Sequence, residues 1–129
     1  MLLRCLLLFL FSFNAFAWEI KLQEGEYKLF SETKSFPLHF NNKAKLLKID
    51  EKADYTVIEY DAGSQGTQTI VDVYRRLIVD KKGKLIVDKP YEYHTHDNSI
   101  PQPIWSFNEK EKTIEVQDAE EGFQKIFKY

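Results

Sequence analysis

The chain of 129 residues contains a single cysteine, Cys5, and it lies in an N-terminal segment with the marks of a removable leader. The rest of the protein therefore has no disulfide, no thiolate metal site, no cysteine nucleophile and no thiol redox chemistry. No apolar run approaches the roughly 20 residues that a membrane-crossing helix needs. G-x-S-x-G, H-E-x-x-H and the lysine-bearing phosphate loop are all missing, and nothing local supports a serine triad, so the chain reads as noncatalytic. Repeats, low-complexity tracts and long amphipathic helices are also lacking. Nor is positive charge in excess: without the leader, which carries Arg4, seventeen basic side chains face twenty acidic ones. Nucleic acid and anionic membrane are not the partners such a balance favours.

The leader itself is residues 1–17. Arg4 supplies a short basic region, residues 5–13 an apolar core, and Ala15-Phe16-Ala17 an A-x-A cleavage signal. Cleavage after Ala17 would leave a mature chain beginning at Trp18, exported to the periplasm or secreted, with no membrane span. We expect residues 18–129 to form one domain, long enough to bury about two-thirds of its unfolded surface.

What is present is alternation. Residues 67–96, TQTIVDVYRRLIVDKKGKLIVDKPYEYHTH, read as two long strands joined at Asp80-Lys81-Lys82-Gly83, a type I turn with the glycine free to take positive φ. Pairing Asp80 with Lys84 predicts Val79 opposite Leu85, Leu77 opposite Val87, Val73 opposite Tyr91 and Val71 opposite Tyr93, one apolar face. It also sets Arg76 opposite Asp88, and Arg75 opposite Lys89. A preceding strand at 55–62, turned at Gly63-Ser64-Gln65-Gly66, would place Ile58 against Val71 and Tyr60 against Thr69. Further strands are expected at 18–22, 26–30, 45–50, 104–107, 113–117 and 123–129, with Trp105 and Phe107 sharing a face with Ile114 and Val116. Residues 31–44 and 97–103 read as loops, limited by their prolines, and 118–122 as one helical turn. The whole reads as an all-β, antiparallel up-and-down meander closing into a small β-barrel, with a β-sandwich as the alternative.

Trp18 and Gly25-Glu26-Tyr27 stand where the small secreted lipocalin-like (calycin) barrels place a glycine and an aromatic at their first strand. The chain resembles that family in this and in its succession of hairpins, although the third position is tyrosine and not tryptophan. The resemblance implies an eight-stranded cup with a ligand space at its open end.

Three sets of residues are candidates for binding. Ile58, Tyr60, Val71, Val73, Arg75, Tyr91 and Tyr93 would line one face as an aromatic and aliphatic cup, where the Arg75 guanidinium would hold the polar end of a small apolar or amphipathic ligand. The structural rival is an Arg75 neutralised inside the protein, by Asp54 in the expected register. Glu92, His94 and His96 repeat every two residues on the polar face, a spacing that can share zinc or copper, with His39 as a distant further ligand. The remaining aromatics read as core. The leading expectation is thus a noncatalytic ligand-binding protein, ahead of a protein-interaction or inhibitor module with a closed core and of metal binding.

Overall fold

The computed structural model describes residues 18–97 and 99–129, so the leader assigned above lies outside the described residues. Strand makes up 61% of the described residues, helix is lacking among them, and every pairing is antiparallel. The chain divides after Pro37 into two compact units.

The first unit, up to Pro37, is a sheet of three strands, β1 (Glu19–Gln23), β2 (Glu26–Phe30) and β3 (Ser35–Pro37), in the order β1-β2-β3. Glu24 and Gly25, at φ 53° and 80°, make the two-residue turn between β1 and β2, the mirror-type turn whose twist suits a hairpin. Residues 35–37, read as loop from the sequence, instead pair with β2, Phe36 facing Leu29. Pro37 is tolerated because β3 is the edge of its sheet. Trp18 stacks on Phe36 at 6.2 Å.

The second unit, from Leu38, holds a four-stranded sheet of β4 (Lys45–Glu51), β5 (Tyr55–Gln65), β6 (Val71–Asp80) and β7 (Leu85–His94), in that order. A three-stranded sheet of β8 (Ile104–Asn108), β9 (Thr113–Asp118) and β10 (Phe123–Lys128) has the order β10-β9-β8. Tyr55, Val57, Ile78 and Val87 from the first sheet share one buried cluster with Ile114 and Val116 from the second. Trp105 and Phe107 do pair with Val116 and Ile114, and Trp105 closes the cluster. Each sheet ends in free edges, and no closed barrel is found among the described residues. The expected barrel is therefore corrected to open antiparallel sheets. Side chains, not ladders, occupy the edge of β7. Pro90 has no N–H to offer, its carbonyl accepts from the Trp105 indole at 2.8 Å, and the Gln102 amide bonds both the N–H and the carbonyl of Tyr93 at 2.7 and 2.6 Å.

The turn between β6 and β7 forms as expected. Gly83 sits at φ 81°, and Asp80 Oδ1 accepts from Lys82 N and Lys84 N at 2.9 and 2.8 Å. Val79 faces Leu85, but Ile78 and not Leu77 faces Val87, because Ile86 is an extra residue in the ladder. A second extra residue, Tyr91, follows Pro90, so that Val73 faces Tyr93 instead of Tyr91. A bulge reverses faces, and two bulges restore them. Between the two, Asp88 and Pro90 are carried to the Arg75 face while Lys89 pairs with Arg76, the reverse of the expected assignment.

The segment 63–66 is likewise not the turn expected. Strand β5 runs on to Gln65 through a bulge at Ala62 and Gly63, so Ile58 meets Leu77 and Tyr60 meets Arg75. At Gly63, φ 84°, an added Cβ would lie 1.9 Å from Asn42 Oδ1 and 3.0 Å from Asn42 N. Asn42 Oδ1 is already engaged, accepting from Ser64 N at 3.0 Å. Gly63→Ala is therefore expected to destabilise by about 1–3 kcal/mol through backbone strain and the broken contact, read as a lowered urea midpoint; an unchanged midpoint would contradict the bulge geometry. Residues 118–122 form a turn in place of the expected helical one: Asp118 Oδ1 accepts from Glu120 N at 3.1 Å, drawing the chain back into β10.

Candidate functional site: a buried arginine network beside a cleft

Alternation on β6 sends Val71, Val73, Arg75, Leu77 and Val79 to one face, all of them buried. A guanidinium among these must find compensation, since unpaired buried charge is costly. Asp88 supplies it. Arg75 Nε donates to Asp88 Oδ1 at 3.0 Å and Arg75 Nη2 to the Asp88 main-chain oxygen at 2.9 Å. Both side chains are nearly sealed, at 9% and 3% exposure. The Tyr60 hydroxyl gives its proton to the same carboxylate, at 2.8 Å from Oδ2, and accepts from His39 N at 3.3 Å. His39 Nδ1 completes the set at 3.1 Å from Asp88 Oδ2, its ring otherwise turned outward. One carboxylate thus receives three side chains from the segment before β4, from β5 and from β6.

These contacts hold Tyr60 and Arg75 in their protonated forms. Burial pushes the Tyr60 phenol well above its ordinary range, the Asp88 carboxylate pushes further, and Arg75 only partly opposes them. Tyr60 is therefore a fixed donor and not a base. Burial alone would lower Arg75, but Asp88, with help from Tyr60 and Glu121, outweighs it and raises the guanidinium. Arg75 is thus permanently charged.

Beyond the network lies a cleft of about 570 Å³ within the second unit, walled by Leu38, Phe40, Val73 and Tyr93, with Arg75 and Glu121 at its rim. Among the described residues the third guanidinium nitrogen, Nη1, is met by Glu121 Oε1 at 3.8 Å, longer than a direct charge-assisted bond. The far wall is fixed by Tyr93, whose hydroxyl donates to Asp118 Oδ2 at 2.5 Å. Burial first, and that bond next, raise the Tyr93 phenol. Since Asp118 also holds the β9–β10 turn, Tyr93→Phe is expected to cost about 1–3 kcal/mol. Hydrogen exchange would show it as faster exchange at Glu120 and Glu121; exchange unaltered there would refute the coupling.

Of the expected cup, the structure brings Ile58, Tyr60, Val71, Val73, Arg75 and Tyr93 to one face. Val73, Arg75 and Tyr93 line the cleft, while Ile58 and Tyr60 are fully buried. Tyr91, displaced by the bulge, leaves them: its ring lies 4.5 Å from the Arg76 guanidinium, which is itself paired with Glu59 at 2.7 Å. Burial, followed by the Glu59 carboxylate, pushes the Tyr91 phenol up to about 12. Asp54, the expected partner of Arg75, instead pairs with Lys112 at 3.0 Å.

The histidine set is not gathered. Strand β7 ends at His94, leaving His96 beyond it, and Glu92, His94 and His96 are all exposed. His94 Nδ1 stands 3.9 Å from Asp72 Oδ2, and Asp72 Oδ1 accepts from Ser64 Oγ at 2.5 Å. His39 belongs to the Asp88 network. Among the described residues, no three His, Cys, Asp or Glu side chains converge on a common metal position.

Asp88, His39 and Glu121 were not foreseen at this site. One signal bearing on Asp88 was readable: the regular ladder sets Lys89 against Arg75 on an apolar face, and the extra Ile86 that relieves this clash of cations is what brings Asp88 there. The contacts of His39 and Glu121 come from loops 49 and 46 residues away from Asp88 and Arg75 and had no local signal. No protein-family profile, curated protein or solved structure matches the chain. No helix among the described residues is long and apolar enough to cross a membrane.

Proposed function

We propose that the chain is an exported, noncatalytic binding protein whose ligand is small and amphipathic and lies in the Arg75 cleft. The observation that carries this reading is the guanidinium itself: Asp88 fixes two of its nitrogens, and the third is turned to the cleft rim against a single long contact with Glu121. Such a group is oriented in advance and incompletely used, which lowers the ordering cost of binding a polar head. Leu38, Phe40, Val73 and Tyr93 offer the apolar body of the ligand part of a wall, while Asn41, Gln65 and Glu120 help make much of the remaining lining polar, a mixed surround that suits an amphipathic ligand and not a wholly apolar one.

The test is native mass spectrometry of the protein isolated from its exported fraction, set against its denatured mass. We expect an added organic mass, lost in Val73→Trp, which fills the cleft and spares the Arg75–Asp88 pair. A bare native mass would overturn the reading. An interaction module is the second reading, and it is favoured by Ile104 and Ile126, which are 62% and 58% exposed. Their opposite partners on β9 are Gln117 and Glu115, so both belong to the uncovered face of the three-stranded sheet.

A further inference from the structure

A groove of about 370 Å³ shares His39, Arg75 and Glu121 with the first cleft and is otherwise lined by the start of β7 and by β10. Phe123, Lys125 and Phe127 alternate onto one face of β10 and reach it together with Leu85 and Ile86. The two phenylalanine rings stack at 6.1 Å, and Leu85 is left 38% exposed. Cations rim the apolar side of this trough, whose lining is otherwise polar. Lys89 Nζ stands 3.8 Å from the Phe123 ring centre, and Lys125 Nζ 5.4 Å from that of Phe127.

The acids at the groove are differently committed. Asp88 is filled by Arg75, Tyr60 and His39. Glu121 is the reverse case: its carboxylate, 36% exposed, spans Arg75 Nη1 at 3.8 Å and Lys89 Nζ at 3.5 Å. Both distances exceed the 2.7–2.9 Å or so of a formed charge-assisted bond. Two oriented cations, largely withdrawn from water, thus share one loosely held carboxylate at the end of the trough's apolar side.

We propose that this groove binds an acidic amphiphile, an apolar chain ending in a carboxylate. Its head takes the position of the Glu121 side chain between Arg75 and Lys89, and its chain lies along Leu85, Ile86, Phe123 and Phe127. Glu121 is then a resident stand-in that the ligand displaces. This goes beyond the reading of the first cleft, because the chain of the ligand lies along Leu85, Ile86, Phe123 and Phe127, none of which lines that cleft, while Val73 does not line this groove.

Isothermal titration of the whole protein with decanoate and with decan-1-ol tests it, since the two share a chain and differ in the head. Decanoate is expected to bind at least about tenfold more tightly, the difference between a charge-assisted and a neutral hydrogen bond. Glu121→Gln, at an exposed turn, is expected to tighten decanoate about threefold by weakening its competitor, with decan-1-ol unchanged. Phe127→Ala should weaken both. Equal binding of the alcohol, decanoate binding unchanged or weakened by Glu121→Gln, or no decanoate binding would each overturn the assignment. Arg75 Nη1 takes the head in both readings, so Val73→Trp keeps them apart: it should abolish the co-purifying mass and bind decanoate at least as tightly as the parent protein, whereas loss of decanoate binding in the folded variant would put the head in the first cleft and overturn the groove.

Discussion

Asp88→Ala is expected to destabilise the protein by about 3–5 kcal/mol, as breaking a buried ion pair does when one charge is left behind. Three losses coincide. Among the described residues the Arg75 guanidinium keeps only the Asp88 main-chain oxygen and the distant Glu121, the Tyr60 proton loses its short acceptor and is left with the His39 main-chain oxygen at 3.3 Å, and His39 loses its side-chain tether to β7. Against a total stability of about 5–15 kcal/mol for a domain, that leaves a marginal fold. The urea midpoint should fall steeply, with the slope preserved if unfolding stays two-state. Asp54→Ala removes an exposed pair with Lys112 and should change stability by about 0–1 kcal/mol. If the two variants are equally stable, Asp88 is not the compensating charge.

The contrast between these two acids shows what the sequence could tell and what it could not. Alternation gave the strands of the second unit closely, since β4, β8, β9 and β10 begin where the pattern begins, and the Asp80–Gly83 turn was readable from its residues alone. The burial of Arg75 followed from its place between Val73 and Leu77. Its partner did not. Side chains alternate with a period of two, so one unanticipated residue in a ladder inverts every face beyond it. With no bulge, Asp88 stands with Arg76, and Arg75 meets Lys89, two cations on an apolar face. The extra Ile86 exchanges these, delivering Asp88 to the buried cation. The extra Tyr91 then restores the original faces for Glu92, Tyr93 and His94. The unfavourable Arg75–Lys89 pairing was itself a hint that the ladder could not be regular. Closure into a barrel was beyond reach for another reason. It depends on whether β7 meets a hydrogen-bonding neighbour, and there Gln102 and Trp105 satisfy the edge with side chains, which no period reveals.

Alkaline pH above about 10 is expected to destabilise the protein progressively, because Tyr55, Tyr60, Tyr74, Tyr91 and Tyr93 are all raised from the ordinary phenol value of 10.0. The largest cause is the same in each case, burial of a group that ionises to an anion. The sign follows from proton counting. Above 10.0 the unfolded chain releases phenol protons that the folded chain retains, so the unfolded state binds fewer protons and stability falls as pH rises. The stabilisation is complete below 10.0 and is lost from there through about 12, the value for Tyr91. For deeply buried Tyr60 the loss approaches about 1.4 kcal/mol per pH unit once the unfolded phenol is ionised. Tyr60→Phe separates this effect from the hydrogen bond to Asp88. At neutral pH the variant should be less stable by about 1–3 kcal/mol, because Asp88 loses a donor. Its stability should nevertheless decline less steeply, so that by about pH 11 the gap to the parent protein has narrowed or closed. Urea midpoints of both proteins across that interval decide it. Parallel decline would mean that the Tyr60 phenol ionises in the folded protein as it does in the unfolded chain, and the sealed Tyr60–Asp88–Arg75 arrangement would then be wrong.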